Sequence, residues 1–102
     1  MDGNNRLTTH MTGLPAEARR SALLSLVRRS TAFALGHSTI DAVPEDVAFV
    51  ELGLTSFTAF ELRSSLVEVT GIELPLSEIF EHPSPSVLAG YLHAAFERLT
   101  AA

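Results

Sequence analysis

The chain has no cysteine, no tryptophan and one tyrosine, and its seven basic residues face twelve acidic ones. Without cysteine there is no disulfide framework, no thiolate zinc site and no cysteine nucleophile. The lack also fits a reducing, cytoplasmic setting, which is the localisation expected here. A formal net charge of -5 argues against nucleic acid as a partner, because phosphate binding needs a basic footprint. The one basic cluster, Arg19, Arg20, Arg28 and Arg29, falls on a single predicted helix and reads as a solvated face. No apolar run approaches the roughly 20 residues of a membrane span. The first residues, MDGNNRLTTHMTG, lack the charged-then-apolar layout of a signal peptide. Residues 1–13 therefore read as a disordered linker or tag remnant outside the fold.

What is present suits one small domain: 102 residues, of which 46% are hydrophobic, enough for a single core. After Pro15 a helical pattern runs from Ala16 to about Leu35. Leu23, Val27, Ser30 and Ala34 fall on one stripe, widened by Leu24, Leu26 and Leu35. Gly36 is the stop. A second helix is expected from Ser56 to about Val69, closed by Thr70-Gly71. A short helical turn follows Pro75, from about Leu76 to Phe80. Ser84 and Pro85 then open a last helix, to about Leu99, with Val87, Leu88, Tyr91, Leu92, Ala95, Phe96 and Leu99 on its apolar face. Between the first two helices lies a connection of about 20 residues. Loops of that length in compact domains usually carry function. Its Ile40, Val43, Val47, Phe49, Leu52 and Leu54 predict that it packs on the helices. EDVAFVEL within it has strand character but no partner strand, so it is read as loop.

The stretch ELGLTSFTAFELR, residues 51–63, concentrates the chemistry. At about 100° per residue, Ala59, Leu62, Leu66 and Val69 share the core side of the second helix, whereas Phe57 and Phe60 point roughly 140–160° away. Two exposed phenylalanines gain nothing for folding and mark a partner site; alternatively, the long loop folds over them and makes them core. Ser56 can be a plain N-cap. If Thr55 caps instead, Ser56 occupies the first turn with its hydroxyl free, and an anionic group attached there would meet exposed N–H groups and the positive helix end. A catalytic serine would need an oriented base. His10, His37, His82 and His93 stand in no triad context, and GLTSF is not the G-x-S-x-G elbow. His82 and His93 are too far apart in sequence for a simple helical metal pair, and no acidic cluster joins them, so no metal and no catalytic residue is expected.

The ordered set Leu52-Gly53, Ser56, Thr58-Ala59, Glu61-Leu62-Arg63, Thr70-Gly71, Leu74-Pro75, Phe80 and His82-Pro83-Ser84 closely resembles the acyl carrier protein domains of modular type I polyketide synthases. The match covers about residues 16–99. The resemblance implies an all-α fold: a small four-helix bundle of three main helices plus one short helix, with a long ordered loop between helices 1 and 2, the carrier domain occupying residues 14–100. It implies that Ser56 carries 4'-phosphopantetheine, transferred from coenzyme A by a phosphopantetheinyl transferase. The arm's thiol would hold a polyketide intermediate as a thioester. The domain itself would not catalyse. It would deliver its cargo to ketosynthase, acyltransferase, ketoreductase and other synthase domains, and would be a monomer when isolated. Leu54, Thr55, Phe57, Phe60 and Glu61 would form the recognition surface, with Glu51 at its edge. Two residues depart from the family pattern. Thr55 stands where Asp is usual, an Asp that commonly helps place the transferase's magnesium, and Phe57 stands where Leu is usual. Peptidyl carriers show Gly-Gly-His/Asp-Ser at this point; the second Gly and the His are missing here, which favours the polyketide branch. The rival readings are an unmodified helical docking module, whose Phe57/Phe60 face binds a helix, and a small serine hydrolase.

Overall fold

A computed structural model describes residues 10–100 of the chain. Helix α1 is Ala16–Leu35, α2 is Ser56–Thr70, α3 is Leu76–Glu81 and α4 is Pro85–Thr100. No strand occurs among the described residues. The most extensive packing is between α1 and α4, then between α1 and α2, and α3 leans on α2. No described helix is long and apolar enough to cross a membrane.

Each boundary has a local cause. Pro15 precedes α1 in extended conformation, since its fixed φ and missing N–H suit an entry and not an interior. Gly36 ends α1 at φ 83. The N–H of His37 then closes back on the Ala32 carbonyl at 2.8 Å, which satisfies a carbonyl the helix leaves open. Gly71 ends α2 in the same left-handed way, at φ 70. The helices contribute to the core Leu23, Leu26 and Val27 of α1, Ala59, Leu62 and Leu66 of α2, Ile79 of α3, and Leu88, Ala89, Leu92, Ala95 and Phe96 of α4.

Several expected positions shift by one residue. Val69, expected on the core stripe, is 39% exposed, and Thr70 is buried instead. Thr70 lies nearer the centre of the Ala59–Leu66 stripe. Its hydroxyl donates to the Leu66 carbonyl at 2.7 Å and accepts from the Ile72 N–H at 3.0 Å, so burial leaves nothing unsatisfied. On α1, Thr31 and Ala32 are buried while Ser30 and Ala34 are half-buried; Thr31 likewise donates to the Val27 carbonyl, at 2.7 Å. On α4, Ala89 joins the core, while Val87 and Leu99 are exposed. Val87 sits off the stripe. Leu99 sits on it, but in the last turn, where it borders an open groove with Ile72, Pro75 and Ala95.

Two regions require larger corrections. Of residues 1–13, set outside the fold on composition, 10–12 are helical. Met11 is 1% exposed and belongs to the core cluster; one long apolar side chain outweighs the polar residues around it. Residues 1–9 lie outside the described residues. The arginine cluster is not simply a solvated face. Arg28 reaches across to the long loop and donates to the carbonyls of Val43 at 2.7 Å and Ile40 at 3.1 Å. Arg19 donates to the Leu14 carbonyl at 2.6 Å, meets Glu97 at 3.3 Å and lies over the Phe96 ring at 5.7 Å. Of the four, Arg20 and Arg29 are exposed.

The loop itself is ordered by packing. A 3-10 turn, Ile40–Ala42, is capped by Thr39, whose side chain accepts from the Asp41 N–H at 2.8 Å. Val43 and Phe49 are buried. The Phe49 N–H donates to the Pro83 carbonyl at 2.6 Å, and the Ser86 N–H to the Glu45 carbonyl at 2.9 Å. The loop is thus fastened to α1 by Arg28 and to the start of α4 by two backbone bonds.

Candidate functional site

The approach to Ser56 is built residue by residue. Phe49, 3% exposed, anchors the segment in the core. The Leu54 N–H donates back to the Phe49 carbonyl at 3.0 Å. Gly53 between them takes φ +98, with open space where a Cβ would be, so backbone conformation and not crowding calls for glycine. Thr55 is extended, at φ -108 and ψ 176, and is the N-cap of α2. Its Oγ1 accepts from the Thr58 N–H at 3.2 Å, and its own N–H donates to Thr58 Oγ1 at 2.8 Å. This is a reciprocal capping box, with Thr at the third helical position in place of the usual Glu or Gln.

Ser56 is the first residue of α2 and is exposed. Capping falls to Thr55, so the serine hydroxyl is not needed for it. The first turn of α2 carries no acidic residue. The N–H groups of Ser56 and Phe57 precede the intrahelical ladder, and the positive end of the helix dipole lies beside the hydroxyl. An attached phosphodiester is electrostatically favoured there.

The loop leaves the two phenylalanines uncovered: Phe57 is 70% and Phe60 53% exposed. The loop spends its own aromatic residue, Phe49, on the core instead. Glu61 and Glu51 are exposed, and Leu54 is half-buried. Leu54 also lines a cavity of about 40 Å³ with Phe49, Val50, Ile79, Phe80 and Pro83. Val50 and Phe80 are large exposed apolar residues that sequence reasoning did not assign to this surface. Their signal was present but faint: Val50 adjoins the buried Phe49, and Phe80 lies in a helix too short to bury both its Ile and its Phe.

Two of the histidines, His82 and His93, make contacts within the bundle. His82 Nδ1 lies 2.9 Å from the Glu78 carbonyl and its ring 4.7 Å from that of Tyr91. His93 Nε2 lies 3.5 Å from Glu97. Burial raises the Tyr91 hydroxyl above its ordinary pKa, with Glu78 and Glu73 adding to the rise and Arg98 opposing it. No hydrogen bond joins Ser56 to a histidine among the described residues, and no group of metal-ligating side chains occurs among them.

Comparison with known proteins agrees with this geometry. A family model described as a phosphopantetheine attachment site matches residues 25–92. The chain is 46% identical over 94 residues to the pikromycin polyketide synthase component PikAIII of Streptomyces venezuelae, covering 92% of this chain and 6% of that protein. It is 41% identical over 86 residues to the mycoketide-CoA synthase of Mycobacterium tuberculosis, covering 84% of this chain and 2% of that protein. The chain thus spans only a small fraction of the length of these relatives. Among solved structures, the A1-type ACP domain from module 5 of MLSA1 superposes with a TM-score of 0.84 at 33% identity, over 93% of this chain and 95% of that one. A free-standing peptidyl carrier protein from Acinetobacter baumannii shares the fold, with a TM-score of 0.69 at 23% identity over 74% of this chain and 92% of that one.

Proposed function

The chain belongs to the phosphopantetheine-attachment family, as an acyl carrier domain of the polyketide synthase type, and from that premise we propose that Ser56 is the residue that carries the arm. The family's cofactor is covalent 4'-phosphopantetheine, and its members are carriers and not catalysts. What supports Ser56 is its position: an exposed hydroxyl at the first residue of α2, released from capping duty by Thr55. Coenzyme A is the donor, a phosphopantetheinyl transferase the enzyme, and the arm's thiol then holds a polyketide intermediate as a thioester.

Tethering makes delivery nearly intramolecular, so the arm's reach sets a high effective concentration at each partner. Contacts at each stop can then stay weak. Phe57 and Phe60 supply an apolar patch, flanked by Leu54 and Thr55, and Glu61 gives a charge that orients more than it binds. The partners in this reading are ketosynthase, acyltransferase, ketoreductase and other domains of a synthase. The carrier unit extends at least from Met11 to Thr100 and is a monomer when isolated. A cytoplasmic setting would keep the arm's thiol reduced.

The test is intact mass after incubation with coenzyme A, magnesium and a broad-specificity phosphopantetheinyl transferase, with Ser56→Ala beside the native chain. The expected result is a gain of one phosphopantetheine by the native chain and none by the variant. Loading of the variant would move attachment to another hydroxyl. Failure of the native chain with both this transferase and one from its own host would favour an unmodified docking module.

A further inference from the structure

Resting on Ser56 as the attachment residue, we propose that Thr58 is a positioning residue for the loading reaction, holding the serine in attack geometry through the Thr55 backbone. Four contacts link the pair. The Thr55 N–H donates to Thr58 Oγ1 at 2.8 Å, the Thr58 N–H donates to Thr55 Oγ1 at 3.2 Å, the two hydroxyls are 3.1 Å apart, and Thr58 Oγ1 donates to the Thr55 carbonyl at 3.3 Å. The two atoms of Thr55 held by the Thr58 hydroxyl, N–H and carbonyl, bracket its φ and ψ. Those two angles aim the Cα–Cβ bond of the next residue, Ser56. Upstream, the Leu54 N–H is fixed to the carbonyl of the buried Phe49. The segment from Leu54 to Thr58 is therefore tied at both ends, although Thr55 and Ser56 are themselves exposed.

This matters because of what the serine must do. Its Oγ forms a bond to the phosphorus on the pantetheine side of the coenzyme A pyrophosphate. The bridging P–O bond breaks, adenosine 3',5'-bisphosphate leaves, and the serine proton passes to a base of the transferase. Attack is in line with the leaving oxygen, so a nucleophile that wanders loses rate even when docking is intact. A serine on a surface helix end would ordinarily fray. The box places the cost of ordering it in the folded domain and not in the encounter with the transferase.

Thr58→Val removes the hydroxyl at nearly constant shape, and Thr58→Ser restores it. Both are compared with the native chain in steady-state loading by one phosphopantetheinyl transferase, at a temperature at which circular dichroism shows all three folded. The expected result for Thr58→Val is a kcat lower by roughly tenfold, with KM for the carrier within about twofold, because Phe57 and Phe60 still dock. Thr58→Ser is expected to recover most of the rate. A Thr58→Val chain that loads at the native kcat, whatever its melting temperature, overturns the proposal and leaves the box as a helix cap only. A rise in KM at constant kcat also overturns it, since that would make Thr58 a docking contact. If the native chain itself does not load, the fault lies with the assignment of Ser56 and not with Thr58.

Discussion

At the scale of single residues, Thr55 is where fold and function divide their claims. The family pattern has Asp there, and both side chains can accept a hydrogen bond from the first turn. Thr55 does so, with the Thr58 N–H. The fold therefore loses little by the exchange, whereas the site loses a carboxylate beside Ser56, the proposed attachment residue. Thr55→Ala is expected to destabilise the domain by about 0.5–2 kcal/mol, the usual cost of a lost cap. Thr55→Asp is expected to be at least as stable as the native chain, since a carboxylate also complements the positive helix end. Urea unfolding of the pair checks this. A Thr55→Ala chain as stable as Thr55→Asp would mean that the box seen here contributes nothing to stability, and it would weaken the case for Thr58 as well.

At the scale of elements, helix α2 has to present two opposite faces from one sequence. Ala59, Leu62, Leu66 and Thr70 turn inward, and Phe57 and Phe60 turn outward. Leu62→Ala is expected to cost about 2–5 kcal/mol, as a truncation at a fully buried site. Val69→Ala should cost less than about 1 kcal/mol, since that side chain is 39% exposed and surface changes are small. Equal costs in denaturant melts would put the helix in the wrong phase. The helix spans, the loop and the outward phenylalanines were legible because apolar spacing, Gly36, Gly71, Pro15 and Pro85 are strong local signals. Thr70 in place of Val69 was not. A threonine counts as polar in a periodicity, and only the structure shows its hydroxyl satisfied by Leu66 and Ile72. Arg28 was illegible for a similar reason. Its sequence neighbours make it look solvated, while its partners, Ile40 and Val43, are carbonyls 12 and 15 residues away.

At the scale of the whole molecule, the bundle fixes the capped start of α2 while staying small. A domain of this size buries a modest fraction of its surface and stays marginally stable, so each fully buried side chain carries a large share of the stability. Met11 is one of these, and it lies before α1, in a stretch whose composition reads as linker. Its thioether side chain is 1% exposed among the core residues, and methionine adapts to an irregular gap that a branched side chain would not fill. Met11→Ala is expected to destabilise the domain by about 2–5 kcal/mol. A chain that begins at Leu14 should lose at least as much, because it removes the same side chain together with the turn that holds it. Thermal melts of the two variants against the native chain measure this. If both melt with the native chain, the packing of Met11 is dispensable and the carrier domain begins at residue 14, as composition alone suggests. If both fall together, the domain boundary lies N-terminal to Met11, and carrier domains of this pattern cut at the proline before the first helix would be expected to load slowly simply because part of the population is unfolded.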